Sequence, residues 1–207
     1  MTKPDRKTIL HLCADIGSDS RPYCDAGYNV VLIGREIGVE NYHPEKGVYG
    51  VIANPVCTEF SIASGFHKQN DYSKGMSMVM ECKRIIRECD KLQFFVIENP
   101  ALGRLKDYLG KPNMTYEPWH YGSPWTKKTA LWGVFNEPPK VYSNWDDVPK
   151  IHELYIRPGR PKPSLAFNHK SHKRYIREWD QFSVYNDMEF RSLCPQTFAK
   201  AFMEANT

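Results

Sequence analysis

Two residues of this chain have surroundings that invite chemistry: a cysteine in a turn after a buried run, and a carboxylate directly after another. Cys57 lies in Asn54-Pro55-Val56-Cys57-Thr58-Glu59-Phe60-Ser61, just beyond the apolar run Tyr49 to Ala53. As a thiolate it is a nucleophile for covalent catalysis; as a thiol it is a small core hydrophobe. Glu98 follows Phe94-Phe95-Val96-Ile97 and opens Glu98-Asn99-Pro100. Desolvation raises the pKa of such a carboxyl and suits it to hold or donate a proton, the plain alternative being a cap on the next turn. The first loop, Cys13-Ala14-Asp15-Ile16-Gly17-Ser18, has a glycine ahead of a helical stretch, as a cofactor loop would, and as a plain turn would too. His169 and His172 have ligand-like spacing if helical, but no third ligand is evident, so a solvated basic face is favoured and no metal is expected.

The elements that must position these residues are legible as short apolar runs bounded by Gly, Pro, Asn or Asp. Strands are predicted over Thr8 to Leu12, Asn29 to Ile33, Tyr49 to Ala53 and Phe94 to Ile97. Their apolar residues run on without alternating, as in a parallel sheet covered on both faces. A long helix is predicted from about Ser73 to Asp90, with Met76, Val79, Met80, Lys83 and Ile86 as its inward stripe and Cys82 and Cys89 beside them. A shorter one is predicted near Ser20 to Ala26, stopped by Gly27. Strands alternating with helices predict an α/β fold with a mainly parallel sheet, whose ligands sit at the carboxyl ends of the strands. Three of the four predicted strand ends carry the residues named above.

At 207 residues the chain is long enough for one domain with a substantial core. Charged residues at 25% and apolar ones at 41% exclude wholesale disorder and collagen-like repeats. No stretch approaches the roughly 18 apolar residues of a membrane span, and MTKPDRKTIL lacks the apolar core of a signal peptide, so a soluble, cytoplasmic protein is expected. Six cysteines without a CxxC pair argue against a disulfide framework and a zinc ribbon. A net charge of +4 permits nucleic-acid binding without demanding it. The charge is concentrated from Lys150 to Arg177, where eight Lys and Arg face only Glu153, with Tyr155, Phe167 and Tyr175 interleaved. That composition points to a phosphate-contacting surface, with Lys170, Lys173 and Arg174 as its tightest group.

The order of these pieces resembles the cytosine carbon-5 DNA methyltransferases, especially small phage and bacterial members without a large recognition domain. LHLCADIGSDSRPYCDAGYNVVLI is similar to their cofactor loop and second strand, VYGVIANPVCTEFSIA to the nucleophile motif, and FFVIENPALGRL to the Glu-Asn motif. YGSPWTKKTALWGVF is similar to the later basic motif and RSLCPQTFAKAF to the C-terminal helix, so the likeness spans about residues 8 to 203. It implies a Rossmann-like methyltransferase fold over residues 1–207, with the basic, aromatic-rich segment at about 136–186 in place of a target-recognition domain. It implies S-adenosylmethionine as cofactor, held by Ala14, Asp15, Gly17, Ser18, Glu36, Asn54 and Pro55, and DNA as partner. Cys57 would attack carbon 6 of cytosine, Glu98 would hold N3 and the exocyclic amine, Asn99 would buttress the loop, and Lys128, or Lys127, would supply the basic motif. Asp15 stands at the family's first loop glycine, His11 where an acidic residue is common, and Val56 at the proline before the nucleophile. Two alternatives therefore stay open: the same chemistry on free pyrimidine nucleotides, and a catalytically silent nucleic-acid-binding homologue.

Overall fold

The structure, a computed structural model, describes residues 6–60 and 71–207. Ser61, the end of the polar run after Cys57, lies outside the described residues. The four apolar runs form parallel strands β1 (Thr8–Leu12), β2 (Asn29–Ile33), β3 (Val48–Ala53) and β4 (Phe94–Pro100). Helix α1 (Arg21–Asp25) links β1 to β2, and α2 (Tyr72–Glu88) precedes β4. Short α3 (Lys106–Leu109) follows β4, and α4 (Asp187–Ser192) and α5 (Gln196–Ala205) close the chain.

Successive side chains of a strand point to opposite faces, and here both faces are covered. Leu10, Leu12, Val51, Ala53 and Ile97 pack with Val79, Cys82 and Ile85 of α2 in one core. Ile9, Ile52, Phe94 and Val96 pack with Tyr23 of α1 and with Phe198 and Phe202 of α5 in the other. Burial on both sides is why the β1, β3 and β4 runs read as continuously apolar; the edge strand β2 buries only Ile33 fully.

Two strands that the sequence did not reveal, β5 (Met114–Tyr116) and β6 (Thr129–Val134), complete a six-stranded sheet of order β2-β1-β3-β4-β6-β5. β6 is antiparallel to both β4 and β5, so the α/β sheet is mixed and mostly parallel. The added partner lengthens β4 beyond its apolar run: Glu98 pairs with Leu131, Asn99 with Ala130 and Pro100 with Thr129. Glu98 is therefore a strand residue, not the first residue after one.

The buried stripe of α2 also differs from its expected phase. Gly75, Val79, Cys82 and Ile85 are buried while Met80 is 46% exposed. Gly75 explains the rotation, because a Cβ there would stand 2.9 Å from Phe60 Cζ; the helix turns its smallest side chain toward the ring after Cys57.

The 136–186 segment is built from short 3₁₀ turns around a third core of Trp125, Leu154, Leu165, Ile176, Trp179 and Phe182, against which Ile16 of the first loop packs. The Trp179 indole N–H donates to the Cys194 carbonyl at 2.9 Å. Among the described residues no helix is long and apolar enough to cross a membrane, and no group of three or more His, Cys, Asp or Glu is placed to hold a metal. His169 instead lies 3.1 Å from Asp187.

Candidate active site

The chain leaves β1 toward β2 on one side and returns to β3 on the other, which opens a crevice at the carboxyl ends of β1 and β3 where ligands of such sheets bind. Asn54, the first residue past β3, is the hub of this crevice. Its backbone N–H donates to Leu12 O at 3.1 Å, continuing the β1–β3 ladder. Its side-chain oxygen lies 2.8 Å from His11 Nε2, and its Nδ2 stands 3.2 Å from both Asp19 Oδ1 and Glu98 Oε2. Nδ1 of His11 is 2.8 Å from Ser20 Oγ. Burial holds the His11 pKa below its ordinary value against the opposing charge of Asp19. A neutral ring that donates from Nε2 to Asn54 then accepts the Ser20 hydroxyl at Nδ1.

Glu98 and Cys57 are electrostatic neighbours. Burial raises the Glu98 pKa most; Lys127 opposes the rise, Asp19 adds to it, and the Asn54 hydrogen bond opposes it. Burial also pushes the Cys57 thiol up, Glu98 pushes it further, and Lys127 draws it down. One cation thus serves two acids, and ionisation of either makes ionisation of the other harder. A neutral Glu98 makes a Cys57 thiolate easier to form, and the reverse. Asn99 is 1% exposed and donates from Nδ2 to the Pro55 carbonyl at 2.9 Å, tying β4 to the turn that carries Cys57. Lys128 is exposed and its charge bears on Glu117, whereas that of Lys127 bears on Cys57 and Glu98.

The residues expected to hold a cofactor divide into two groups. Asp15 accepts from the Arg35 backbone N–H at 2.8 Å and from its Nε at 2.6 Å, which holds its carboxyl below the usual range. Ser18 Oγ accepts from Cys194 N at 3.0 Å, its carbonyl accepts from Gln196 at 2.9 Å, and Asn54 and Pro55 are engaged as described. These groups shape the crevice. Ala14 is buried, its N–H donating to Ile33 O at 3.2 Å. Gly17 has φ +74°, and a Cβ there would be 3.0 Å from Leu32 Cδ1, so loop and β2 meet closely only because the residue is glycine. Past that contact Glu36 is exposed, with Ile37 47% and Leu32 36% exposed beside it. This end of the sheet therefore carries an exposed carboxylate, a hydrogen-bond acceptor, together with exposed apolar side chains.

The cationic segment presents rings and charges together. Arg157 and Arg160 lie 4.4 and 4.6 Å from the Phe167 centroid, and Lys162 is 4.1 Å from that of Trp119. Lys170, Lys173 and Arg174 share one 3₁₀ stretch, Lys170–Tyr175. The Lys170 ammonium donates to the Tyr185 carbonyl at 2.5 Å, and Arg174 lies over its neighbour Tyr175 at 4.8 Å.

The structure thus brings Cys57, Glu98, Asn99, Asn54 and Pro55 together, and leaves Lys128, Glu36 and the 170–174 group outside that cluster. It adds Asp19 and His11 and, of the two lysines offered for the basic motif, sets the charge of Lys127 on the cluster. A signal for His11 was present, since a histidine inside Ile9-Leu10-His11-Leu12 must find a polar partner once buried. Nothing local marks Asp19. Compared with known proteins, the chain matches no family model and no curated sequence.

Proposed function

We propose that the protein is an enzyme of the Rossmann-like methyltransferase class whose cysteine attacks a pyrimidine ring. More particularly, we read it as an S-adenosylmethionine-dependent transferase that acts on carbon 5 of cytosine in DNA. The observation that carries this reading is the electrostatic coupling of Cys57 to the half-buried Glu98, with one cation, Lys127, at the carboxyl ends of β3 and β4. The order of the motifs along the chain supports it independently.

The chemistry follows from where one proton resides. With the proton on Glu98 and the charge on Cys57, the thiolate adds to carbon 6 and electrons move through the ring to N3. There they take the proton from Glu98, leaving a neutral adduct and a carboxylate. The negative charge has moved from sulfur to carboxyl while staying within reach of Lys127, so little reorganisation is required. Carbon 5, now enamine-like, is the nucleophile. S-adenosylmethionine supplies an electrophilic methyl group when bound. After substitution a base takes the carbon 5 proton, the pair of that C–H bond forms the carbon 5–carbon 6 double bond as the C–S pair returns to sulfur, and N3 gives its proton back to Glu98, which restores the starting state. A target within duplex must first leave the stack, an unstacking cost of a few kcal/mol that contacts of the cationic segment would offset.

The test is trapping on DNA containing 5-fluorocytosine, whose fluorine cannot leave as a proton does. A denaturation-resistant adduct is expected with the wild type and none with Cys57→Ala. No adduct in the presence of S-adenosylmethionine would refute the reading, and an adduct with 5-fluoro-dCMP but not with DNA would move it to free nucleotides.

A further inference from the structure

Asp19 plays no part in the steps above, yet its contacts tie it to the acid that performs them. A single nitrogen, Asn54 Nδ2, serves both carboxyls, at 3.2 Å from each. An amide has two hydrogens to give, provided that its oxygen is held the other way. His11 does this at 2.8 Å, and Ser20 at 2.8 Å secures the far side of the ring. His11, Ser20 and Asp19 therefore fix the one amide, Asn54, that reaches an oxygen of Glu98.

We propose that Asp19 is a positioning residue for Glu98, acting through the shared Asn54 amide to orient its carboxyl and through its own negative charge to keep that carboxyl the acid of the reaction. The proposal rests on the reading of Glu98 as the acid. The groups that face Glu98 are Asp19 and, through Asn54, His11; Lys127 ahead of β6; Cys57 after β3; Tyr116 on β5; and Cys194 ahead of α5. Without substrate, His11, Cys57, Tyr116 and Cys194 are held neutral by burial. That leaves Lys127 drawing the Glu98 pKa down and Asp19 pushing it up, with the Asn54 hydrogen bond favouring the carboxylate. Charge and hydrogen bond act with opposite sign, so their removal should move Glu98 in opposite directions. A merely structural role predicts no such divergence.

The experiment is carboxyl-carbon NMR on the full chain labelled at glutamate, titrated without substrate, with the Glu98 signal identified by its loss in Glu98→Gln. Asp19→Asn keeps an oxygen for Asn54 and removes the charge; the Glu98 midpoint is expected to fall below that of wild type. Asn54→Ala removes the donor and is expected to raise it. Asp19→Ser supplies a second neutral variant should the first fail to fold. In methyl transfer, Asp19→Asn is expected to move the alkaline limb of the rate profile to lower pH by the same interval, lowering kcat at neutral pH with KM for DNA unchanged. An Asp19→Asn midpoint that is unchanged or raised, or two variants that move together, overturns the proposal. Midpoints that part as expected in a protein without methyl transfer would refute the proposed function alone. Transfer without that parting would refute the role of Asp19 alone.

Discussion

Glu178 joins the cationic segment to the helix that closes the second core, and its ionisation should be visible in the stability of the whole chain. Its carboxyl accepts from Ser123 Oγ at 2.9 Å and from the backbone N–H groups of Gln196 and Thr197, the first turn of α5. These bonds favour the carboxylate, but burial outweighs them and pushes the pKa from an ordinary 4.5 up to about 7. The folded protein therefore holds the proton more tightly than the unfolded chain, and the resulting stability is complete below 4.5 and lost as pH rises through about 7. At about 1.36 kcal/mol per pH unit, that interval amounts to about 3 kcal/mol. Glu178→Gln keeps the size and an acceptor for Ser123 and cannot ionise. Urea unfolding at a series of pH values, with equal m-values as the check on two-state behaviour, should show the two proteins similar near pH 4.5. The variant should gain on wild type until it is about 3 kcal/mol more stable well above pH 7. A difference that is constant with pH, or that grows toward acid, would refute the account of this junction.

Two further outcomes follow from the site and its surroundings. Glu98→Gln, which retains an oxygen for Asn54 but no acidic proton, should slow methyl transfer by at least about 100-fold, or about 2.7 kcal/mol of barrier. Because the Glu98 charge pushes the Cys57 thiol up, the same variant should be alkylated at Cys57 from a lower pH; an unmoved alkylation profile and a rate within a fewfold of wild type would make Glu98 structural. Lys173→Ala with Arg174→Ala should flatten the slope of log affinity against log salt on duplex DNA by about 1.8, at about 0.9 per phosphate contact. Adding Lys170→Ala, whose ammonium keeps its charge and two further hydrogens beside the Tyr185 carbonyl, should bring the change to about 2.7; an unchanged slope in the triple variant would mean that these cations touch no phosphate.

The strands and the main helix were legible because each is set by its own residues. An apolar run such as Val51-Ile52-Ala53 finds partners on both faces wherever the sheet places it, and the spacing of Val79 and Ile86 is helical in any context. The phase of α2 was not legible, because it depends on the closeness of Gly75 to Phe60, a contact between elements. β5 and β6 escaped notice for a related reason. A three-residue strand and one that contains Trp132 and Gly133 carry little pattern of their own and exist through pairing with each other and with β4.

The candidate site divides along the same line. From the sequence alone, Cys57 and Glu98 stand at the ends of buried runs, because a polar side chain that interrupts such a run can only lie where the sheet stops or where a partner waits. Which partners they meet was decided by tertiary structure. His11 reaches Asn54 across 43 residues and Asn54 reaches Glu98 across 44, distances that only the order β1-β3-β4 and its register can close. Lys127 and Lys128 are adjacent and identical in type, so no local pattern tells them apart. The direction in which each side chain leaves the backbone ahead of β6 does, and it puts the charge of Lys127 on Cys57 and Glu98 and that of Lys128 on Glu117. Strand order and register follow from burial summed over the entire core, whereas spacing along the chain reports only on a residue's nearest neighbours.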